Sequence, residues 1–333
     1  MSSQPSDDVT ALLGHLTARG MVPDPARTEA VPLTGGVSND VFAVSGPGID
    51  VVVKRALPVL RVAREWQADV ARIGIEARAL RLAHAETPEA VPAVVDFAGG
   101  YLVIERAPRS WTNWRDDLLS GVVDTGVARA LGHALGVWQA RTAGQTTRLA
   151  GFEDRTVFAQ LRTDPFHREV AATHRDLAPI VEETVGAMYA ARDCLVHGDL
   201  SPKNVLASGG RMWVLDWEVA HLGDAAFDPA FLLSHLLLKS VHAPRWADLY
   251  QGAAAAFCQS YTRQMRDSLT LDGGHLARQI GCLLIARVDG KSPAPYLTEA
   301  GRLRARELGR ALLTGGHPHD QSNGVLNAWE LIR

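Results

Sequence analysis

The chain has 333 residues, of which 47% are hydrophobic and 21% are charged, and its formal net charge is −3. This composition is typical of a globular protein and excludes a disordered or fibrous chain. The small net charge excludes a strong electrostatic field for nucleic acid or an anionic membrane surface, so we expect a small-molecule partner, no nucleic acid and no membrane. Because single domains usually contain ~100–200 residues, the length predicts two lobes.

The cysteines and the N-terminus indicate the compartment. Cys194, Cys258 and Cys282 are odd in number and widely spaced in apolar surroundings, so we predict buried thiols in a reducing compartment. Residues 1–8 are polar and acidic and lack the basic stretch and apolar run of a signal peptide. No stretch reaches the ~18 apolar residues of a membrane span. We therefore expect a cytoplasmic protein.

The first third of the chain predicts a small antiparallel sheet that carries one helix. A short helix over 9–19 precedes two strands, and a third, valine-rich strand ends at Lys54. A helix is expected from Arg72 to His84, and two further strands flank the Gly99-Gly100 turn. The predicted strands are 29–33, 40–44, 50–54, 93–97 and 101–105.

Beyond Pro108 the pattern becomes mainly helical, with one β-rich segment between Leu195 and Trp217. The predicted helices are 123–143, 176–192, 229–240, 245–266, 275–288 and 298–313, followed by a loosely attached tail over 315–333. The sequence therefore predicts an α+β fold of two lobes, a sheet-bearing lobe over residues 1–107 and a mainly helical lobe over residues 108–333.

Three polar residues in the β-rich segment have no role in the stability of a strand: Asp199, Asn204 and Asp216. Phosphoryl transfer requires a carboxylate to orient the attacking hydroxyl and accept its proton, and oxygen ligands to hold Mg²⁺ against nucleotide phosphates. The spacing of Asp199 and Asn204 matches the kinase catalytic loop H-x-D-x-x-x-x-N. The alternative is a β-hairpin whose polar residues cap turns, but the two halves of the pattern occur together and in order.

Two runs resemble the aminoglycoside phosphotransferase and choline kinase superfamily. His197-Gly198-Asp199-Leu200 with Asn204 resembles its H-G-D-L-x-x-x-N loop, and Leu215-Asp216-Trp217-Glu218 resembles its metal-binding stretch. The resemblance covers residues 33–311. It implies a two-lobed protein-kinase-like fold and an ATP- and Mg²⁺-dependent kinase of a small molecule.

The same resemblance implies roles for single residues. Asp199 is expected to be the catalytic base, Asn204 and Asp216 the magnesium ligands, and Asp228 a brace for the catalytic loop. Ser201 is a departure, because many members carry a second histidine at this place. Lys203 either supplies positive charge near the transferred phosphoryl group or is a solvated surface lysine.

A glycine-containing turn between the first two strands predicts the phosphate-binding loop. Glycine backbones approach phosphates without side-chain clash, although such a hairpin alone is weak evidence. Thr34-Gly35-Gly36-Val37-Ser38-Asn39 resembles the family's G-G-x-S-N loop. Gly35, Gly36, Ser38 and Asn39 are therefore the expected nucleotide contacts.

Lys54 ends an apolar strand and is the expected phosphate anchor, because an inward-facing cation needs anionic partners. Glu76 lies on the apolar stripe of the following helix, which favours it as the carboxylate partner of Lys54. Glu65 is the alternative. Lys54 and Glu76 thus join Asp199 in the predicted catalytic set.

The hinge and the acceptor pocket complete the expectations. By resemblance, the carbonyl of Glu105 and the N–H of Ala107 read adenine, although an ordinary interlobe linker fits these residues equally well. The acceptor candidates, each of which also has a purely structural interpretation, are Trp217, Glu218, His235 and Arg287, with Lys291 nearby. An aminoglycoside would require several acids, whereas Arg287 and Lys291 suit an anionic or sugar-like acceptor.

These observations predict a phosphotransferase that acts on a hydroxyl group of a small molecule. A nucleotide-binding pseudokinase with a regulatory role is the alternative. The evidence against it is that the chain retains all five key polar residues: Lys54, Glu76, Asp199, Asn204 and Asp216. Protein kinase activity is disfavoured, because no activation segment ending in Ala-Pro-Glu follows Asp216.

Overall fold

A computed structural model describes residues 7–33, 39–57 and 69–315. Its first part is a five-stranded antiparallel sheet in the order β1-β2-β3-β5-β4. The strands are β1 (Glu29–Pro32), β2 (Asn39–Gly46), β3 (Ile49–Ala56), β4 (Val94–Ala98) and β5 (Tyr101–Glu105). The predicted strands and their order along the chain are confirmed.

Successive side chains of β3 point to opposite faces of the sheet. Val51 and Val53 pack on one face of the sheet in an apolar cluster that contains Leu12 and Leu16 of α1 (Asp7–Ala18). The intervening residues of β3 therefore face the opposite side. Lys54 is consequently directed to the face that meets the rest of the molecule.

The helix α2 (Arg72–Glu86) crosses that second face. Its buried residues recur at helical spacing, and its apolar ones belong to the same continuous core as the helical lobe. Glu76 lies on this buried stripe and is 1% exposed. A carboxylate is thereby carried into the interior between the two lobes.

Helices form most of the second lobe. They are α3 (Trp114–Leu119), α4 (Thr125–Thr142), α5 (Thr156–Phe158), α6 (Glu169–Thr173), α7 (Ala178–Ala190), α8 (Phe227–His242), α9 (Ala247–Met265), α10 (Gly273–Asp289) and α11 (Glu299–Thr314). α4 packs closely on α9, because Gly132 and Gly136 allow the backbone of α9 to approach. α8, with 14 of its 16 residues buried, is the central helix of this lobe.

A π-helical segment, Ala159–Arg168, joins α5 to α6. It contains Pro165, which has no backbone N–H to donate to a helical turn. The sequence predicted neither this segment nor α3. Both contribute to the wall of the cleft described below.

The β-rich segment forms small sheets at the lobe junction. β8 (Val205–Ser208) pairs with β9 (Arg211–Val214) and with the two-residue strand β6 (Thr112–Asn113), and β7 (Cys194–Val196) pairs with β10 (His221–Gly223). The loops between β7 and β8 and between β9 and β10, here termed the first and second catalytic loops, hold Asp199, Asn204 and Asp216. No helix in the described ranges is long and apolar enough to cross a membrane.

Candidate active site

A cavity of about 660 Å³ lies between the sheet and the helical lobe. Both lobes supply its walls: β3 and β5 from the sheet, the segment around α3, the π-helical segment, the two catalytic loops, α8 and α10. The predicted site residues that line it are Asn39, Lys54, Glu76, Glu105, Ala107, Asp199, Asn204, Asp216, Glu218, His235 and Arg287.

Lys54 links two carboxylates inside the cleft. Its Nζ lies 2.5 Å from Oε1 of Glu76 and 2.7 Å from Oδ1 of Asp216. Burial alone would lower the pKa of Lys54, but the charges of Asp216, Glu76 and Glu218 outweigh it and raise the pKa. The ammonium is therefore charged and held in place. The predicted Lys54–Glu76 pair is confirmed, while the competing Glu65 lies outside the described residues.

Asp199 is a buried carboxylate with three cationic or amide partners at one oxygen. Oδ2 accepts from Nδ2 of Asn204 at 2.7 Å and lies 2.7 Å from Arg162 and 3.1 Å from Lys203. Burial raises the pKa of Asp199, but Arg162 and Lys203 outweigh burial and lower it below its usual value. Asp199 is therefore ionised at neutral pH. Lys203 pairs with Asp199 although its side chain is 46% exposed.

The backbone of the catalytic loop is fixed by two buried side chains. Asp228 at the start of α8 accepts the backbone N–H groups of His197 at 2.7 Å and Gly198 at 2.9 Å, which is the bracing geometry expected of it. Nδ1 of His197 accepts the N–H of Asp199 at 3.0 Å, so its Nε2 donates to the carbonyl of Leu215 at 3.0 Å. Burial lowers the pKa of His197 to about 4, which keeps the ring neutral. His197 thus ties the two catalytic loops together.

The two predicted metal ligands lie on adjacent loops. Asn204 donates through Nδ2 to the carboxylate and carbonyl of Asp199, and the backbone N–H of Leu215 donates to the carbonyl of Asn204 at 2.8 Å. Asp216 has a φ of 69°, a region that disfavours side chains other than glycine. The surrounding hydrogen bonds hold this strained backbone, and the carboxylate is directed into the cleft.

Glu218 binds the sheet-bearing lobe to the helical lobe. Its Oε2 lies 3.0 Å from Nε of Arg72 and 3.0 Å from Nδ2 of Asn39. Arg72 is fully buried and also donates to the carbonyl of Leu57 at 2.7 Å. Glu218 was expected among the acceptor contacts and Asn39 among the nucleotide contacts. In this structure the two side chains bond to each other at the lobe junction.

Two acceptor candidates are corrected by the structure. Trp217 is 1% exposed, donates to the carbonyl of Val214 and packs against Trp138 in the core, so it is not part of the cleft wall. Lys291 is exposed and does not line the cavity. The prediction for Trp217 was wrong, because the residue after Asp216 turns back into the core.

The remaining predictions concern the nucleotide side. Glu105 and Ala107 line the cavity where β5 ends, and their reading of adenine stays a prediction. Gly35, Gly36 and Ser38 lie outside the described residues. The catalytic, nucleotide-binding and metal-binding roles of the other residues likewise stay predictions.

Arg162 is a cleft residue that the sequence did not reveal. It pairs with Asp199, donates through Nε to the carbonyl of Gly198 at 2.8 Å and lies over the ring of Phe231. Its segment is π-helical and lacks the 3.6-residue periodicity by which a buried polar residue is recognised. No sequence signal on which the predictions were based would have identified it.

This chain is similar to known proteins in sequence and in fold. A family model described as "Phosphotransferase enzyme family" matches residues 29–269. Methylthioribose kinase from Bacillus mycoides (strain KBAB4) is 27% identical over 235 residues, which cover 62% of this chain and 59% of that protein. The chain thus spans about 59% of the length of the curated relatives it matches.

Two solved structures show the same fold. Macrolide 2′-phosphotransferase from Brachybacterium faecium aligns with a TM-score of 0.55 at 20% identity, covering 92% of this chain and 99% of that one. An ethanolamine kinase from Plasmodium vivax aligns with a TM-score of 0.55 at 12% identity, covering 99% and 88%. The predicted α+β fold, with a sheet-bearing lobe and a helical lobe, is confirmed.

Proposed function

This chain belongs to the phosphotransferase enzyme family, and on that premise we propose that it is an ATP- and Mg²⁺-dependent kinase that phosphorylates a hydroxyl group of a small molecule. The observation that carries the proposal is the meeting of Asp199, Asn204 and Asp216 in one cleft with the buried Lys54–Glu76 pair. Phosphoryl transfer needs little covalent chemistry from the protein and depends on positioning and on charge. This cleft supplies both.

Asp199 handles the proton in this proposal. Its Oδ2 is occupied by Asn204, Arg162 and Lys203, whereas Oδ1 accepts no hydrogen bond from the described part of the chain. Oδ1 is therefore the oxygen that orients the acceptor hydroxyl and receives its proton. Because the carboxylate is ionised at neutral pH, it is ready to accept.

The oxygen donors in the cleft fit magnesium. Mg²⁺ usually keeps several waters and takes one or two protein oxygens together with substrate phosphates. The side chain of Asp216 is 24% exposed toward the cleft, and Nδ2 of Asn204 is bound to Asp199, which leaves the amide oxygen as a ligand. These two residues would hold the ion, which supplies positive charge to the phosphates.

The nucleotide side follows from the same arrangement. Lys54 is charged and fixed by Glu76, which positions a cation for the phosphates. Glu105 and Ala107 are proposed as the adenine-reading hinge, at the boundary between lobes of residues 1–107 and 108–333. The proposed compartment is the cytoplasm, where ATP and Mg²⁺ are plentiful. The pseudokinase alternative is not favoured, because a scaffold has no need of an ionised, oriented Asp199.

The experiment incubates the protein with ATP, Mg²⁺ and a panel of sugars, amino sugars and aminoglycosides, with mass spectrometry as the readout. We expect at least one acceptor to gain a phosphoryl group, and this product should disappear with EDTA or with Asp199→Asn. If no acceptor is phosphorylated and calorimetry shows no Mg²⁺-dependent nucleotide binding, the proposal is wrong.

A further inference from the structure

Arg287 on α10 is a cleft cation without a carboxylate partner in the described chain. Its guanidinium donates to the carbonyl of Ser292 and, at 2.8 Å, to its hydroxyl, both of which are neutral. Its Nε is buried and has no hydrogen-bond partner. Because Arg287 lines the cavity, its guanidinium presents to a molecule in the cleft a positive charge that no carboxylate of the described chain pairs with.

Lys239 supplies a second cation in the same region. It lies on α8 one helical turn beyond the cleft residue His235, and it is 1% exposed. Across residues 7–33, 39–57 and 69–315 its ammonium makes no hydrogen bond or ion pair, and its Nζ lies 5.7 Å from the centre of the Tyr296 ring. A buried cation without an anion is costly, and an anion bound nearby would offset that cost.

His235 lies among these charges. Its pKa falls well below the usual value, first through burial and then through Lys239, Arg287, Lys203 and Arg162. The ring is therefore neutral and can donate a hydrogen bond without adding a further charge. It lines the cavity between the catalytic loop and Lys239.

The acids on the acceptor side are already engaged. Asp199 is paired with Arg162 and Lys203, and Asp116 is paired with Arg115 at 2.9 Å. Each of these two carboxylates of the described cavity wall therefore already has a cationic partner. The unpaired groups are cations.

We propose, on the premise of the function above, that the acceptor is an anionic hydroxy compound whose carboxylate or phosphate binds at Arg287 and His235, which line the cavity, while the buried Lys239 adds positive charge behind them. Its hydroxyl then lies at Asp199. The anion neutralises two cations that the protein leaves unpaired, and this contact selects acids over neutral or amine-bearing acceptors.

The first test measures kcat and KM on charge-matched acceptors: glucuronate with glucose and glucosamine, and aliphatic hydroxy acids with their primary amides. We expect the acids to be phosphorylated, with kcat/KM ~100-fold above the matched amides. Arg287→Met should raise KM for the acids and leave KM for the amides unchanged. Lys291→Met, an exposed control on the same segment, should leave both KM values unchanged. Preference for neutral or amine-bearing acceptors, or equal effects of Arg287→Met on acid and amide, would overturn the proposal.

The second test does not require turnover or nucleotide, so it separates the anion site from the proposed kinase function. Malonate is added as a dicarboxylate probe, and Tm is measured for wild type, Arg287→Met, Lys239→Met and Lys291→Met. We expect malonate to raise Tm of wild type and Lys291→Met by several degrees more than Tm of the other two variants. Equal shifts of Tm in all four proteins would overturn the anion site. Absence of Mg²⁺-dependent ATP binding in the wild-type protein would overturn only the proposed kinase function.

Discussion

At the scale of single residues, the cleft separates the proposed proton acceptor, Asp199, from the proposed metal ligand, Asp216. Asp199 is held by cations on the acceptor side, and Asp216 is held by Lys54 on the nucleotide side. The sequence predicted Asp199 from its spacing to Asn204, and Asp216 from the resemblance of Leu215-Asp216-Trp217-Glu218 to the family's metal-binding stretch. It could not predict Arg162, since that residue approaches Asp199 only through the fold.

Replacement of the two aspartates should therefore have different effects. Asp199→Asn keeps size but removes the basic oxygen, so we expect kcat to fall ~100- to 10,000-fold while nucleotide binding survives. Asp216→Asn should weaken Mg²⁺-dependent nucleotide binding as well. Steady-state kinetics and calorimetry distinguish the two variants. Near-normal turnover of Asp199→Asn would show that the base lies elsewhere in the cleft.

The buried Lys239 should be measurable as a cost in stability. Burial, with Arg287 and Arg115 nearby, lowers its pKa from 10.5 to about 7, while Asp116 acts in the opposite direction. Lys239→Met removes an unpaired buried charge, so we expect the free energy of unfolding at pH 7 to rise by about 1–4 kcal/mol. Urea titration of both proteins without added anions measures the difference. If Lys239→Met were less stable than the wild type, the interpretation of Lys239 as an unpaired buried ammonium would be wrong.

The pH dependence of that difference has a definite sign. The unfolded chain binds the proton of Lys239 up to its ordinary pKa of 10.5, and the folded chain releases it near 7. Between these values the unfolded state holds more protons, so wild-type stability gains with rising pH relative to Lys239→Met. The advantage of the variant should therefore be greatest below pH 7 and shrink toward pH 10. Of the neighbouring titratable groups, Tyr296 is present in both proteins, whereas the pKa of His235 should rise when the charge of Lys239 is removed, so the comparison includes that change.

At the scale of elements, periodicity predicted the sheet and most helices. The stripe that placed Glu76 inward on α2 is a local property of the sequence, and the structure agrees. The π-helical segment and the short helix α3 were missed, because their conformations depend on packing and not on 3.6-residue repetition. The direction of Trp217 was likewise set by the core.

The contact of α4 with α9 requires glycine. A Cβ at Gly132 would lie 2.3 Å from the carbonyl oxygen of Phe257, whereas Gly252 on α9 has open space within 4 Å. Gly132→Ala should therefore destabilise the protein by about 1–3 kcal/mol through forced separation of the helices. Gly252→Ala, the matched control, should stabilise it by about 0.5–1 kcal/mol. Thermal unfolding of both variants checks the assignment, and equal effects would contradict it.

At the scale of the whole molecule, buried polar bonds connect the lobes around the cleft. Arg72 from α2 meets Glu218 beyond the second catalytic loop, and Asn39 from β2 joins them. The sequence shows that Arg72, Glu218 and Asn39 are polar, but it did not predict that their side chains contact one another. That contact depends on the closure of one lobe on the other.

Removal of one member should leave a buried charge unpaired. Arg72→Met should lower the free energy of unfolding by about 3–5 kcal/mol, because Glu218 stays buried without its cation. Adding Glu218→Gln to this variant should recover part of the loss. Urea unfolding of the single and double variants measures the coupling. Additive effects would show that the pair does not connect the lobes.

The central claim is that this cleft binds ATP with Mg²⁺ for phosphoryl transfer. Isothermal titration of ATP into the protein, with and without Mg²⁺, tests it most directly. We expect binding that depends on Mg²⁺, persists in Asp199→Asn and is weakened in Asp216→Asn. Binding that is absent in every case, or that is indifferent to both Mg²⁺ and Asp216, would contradict the account.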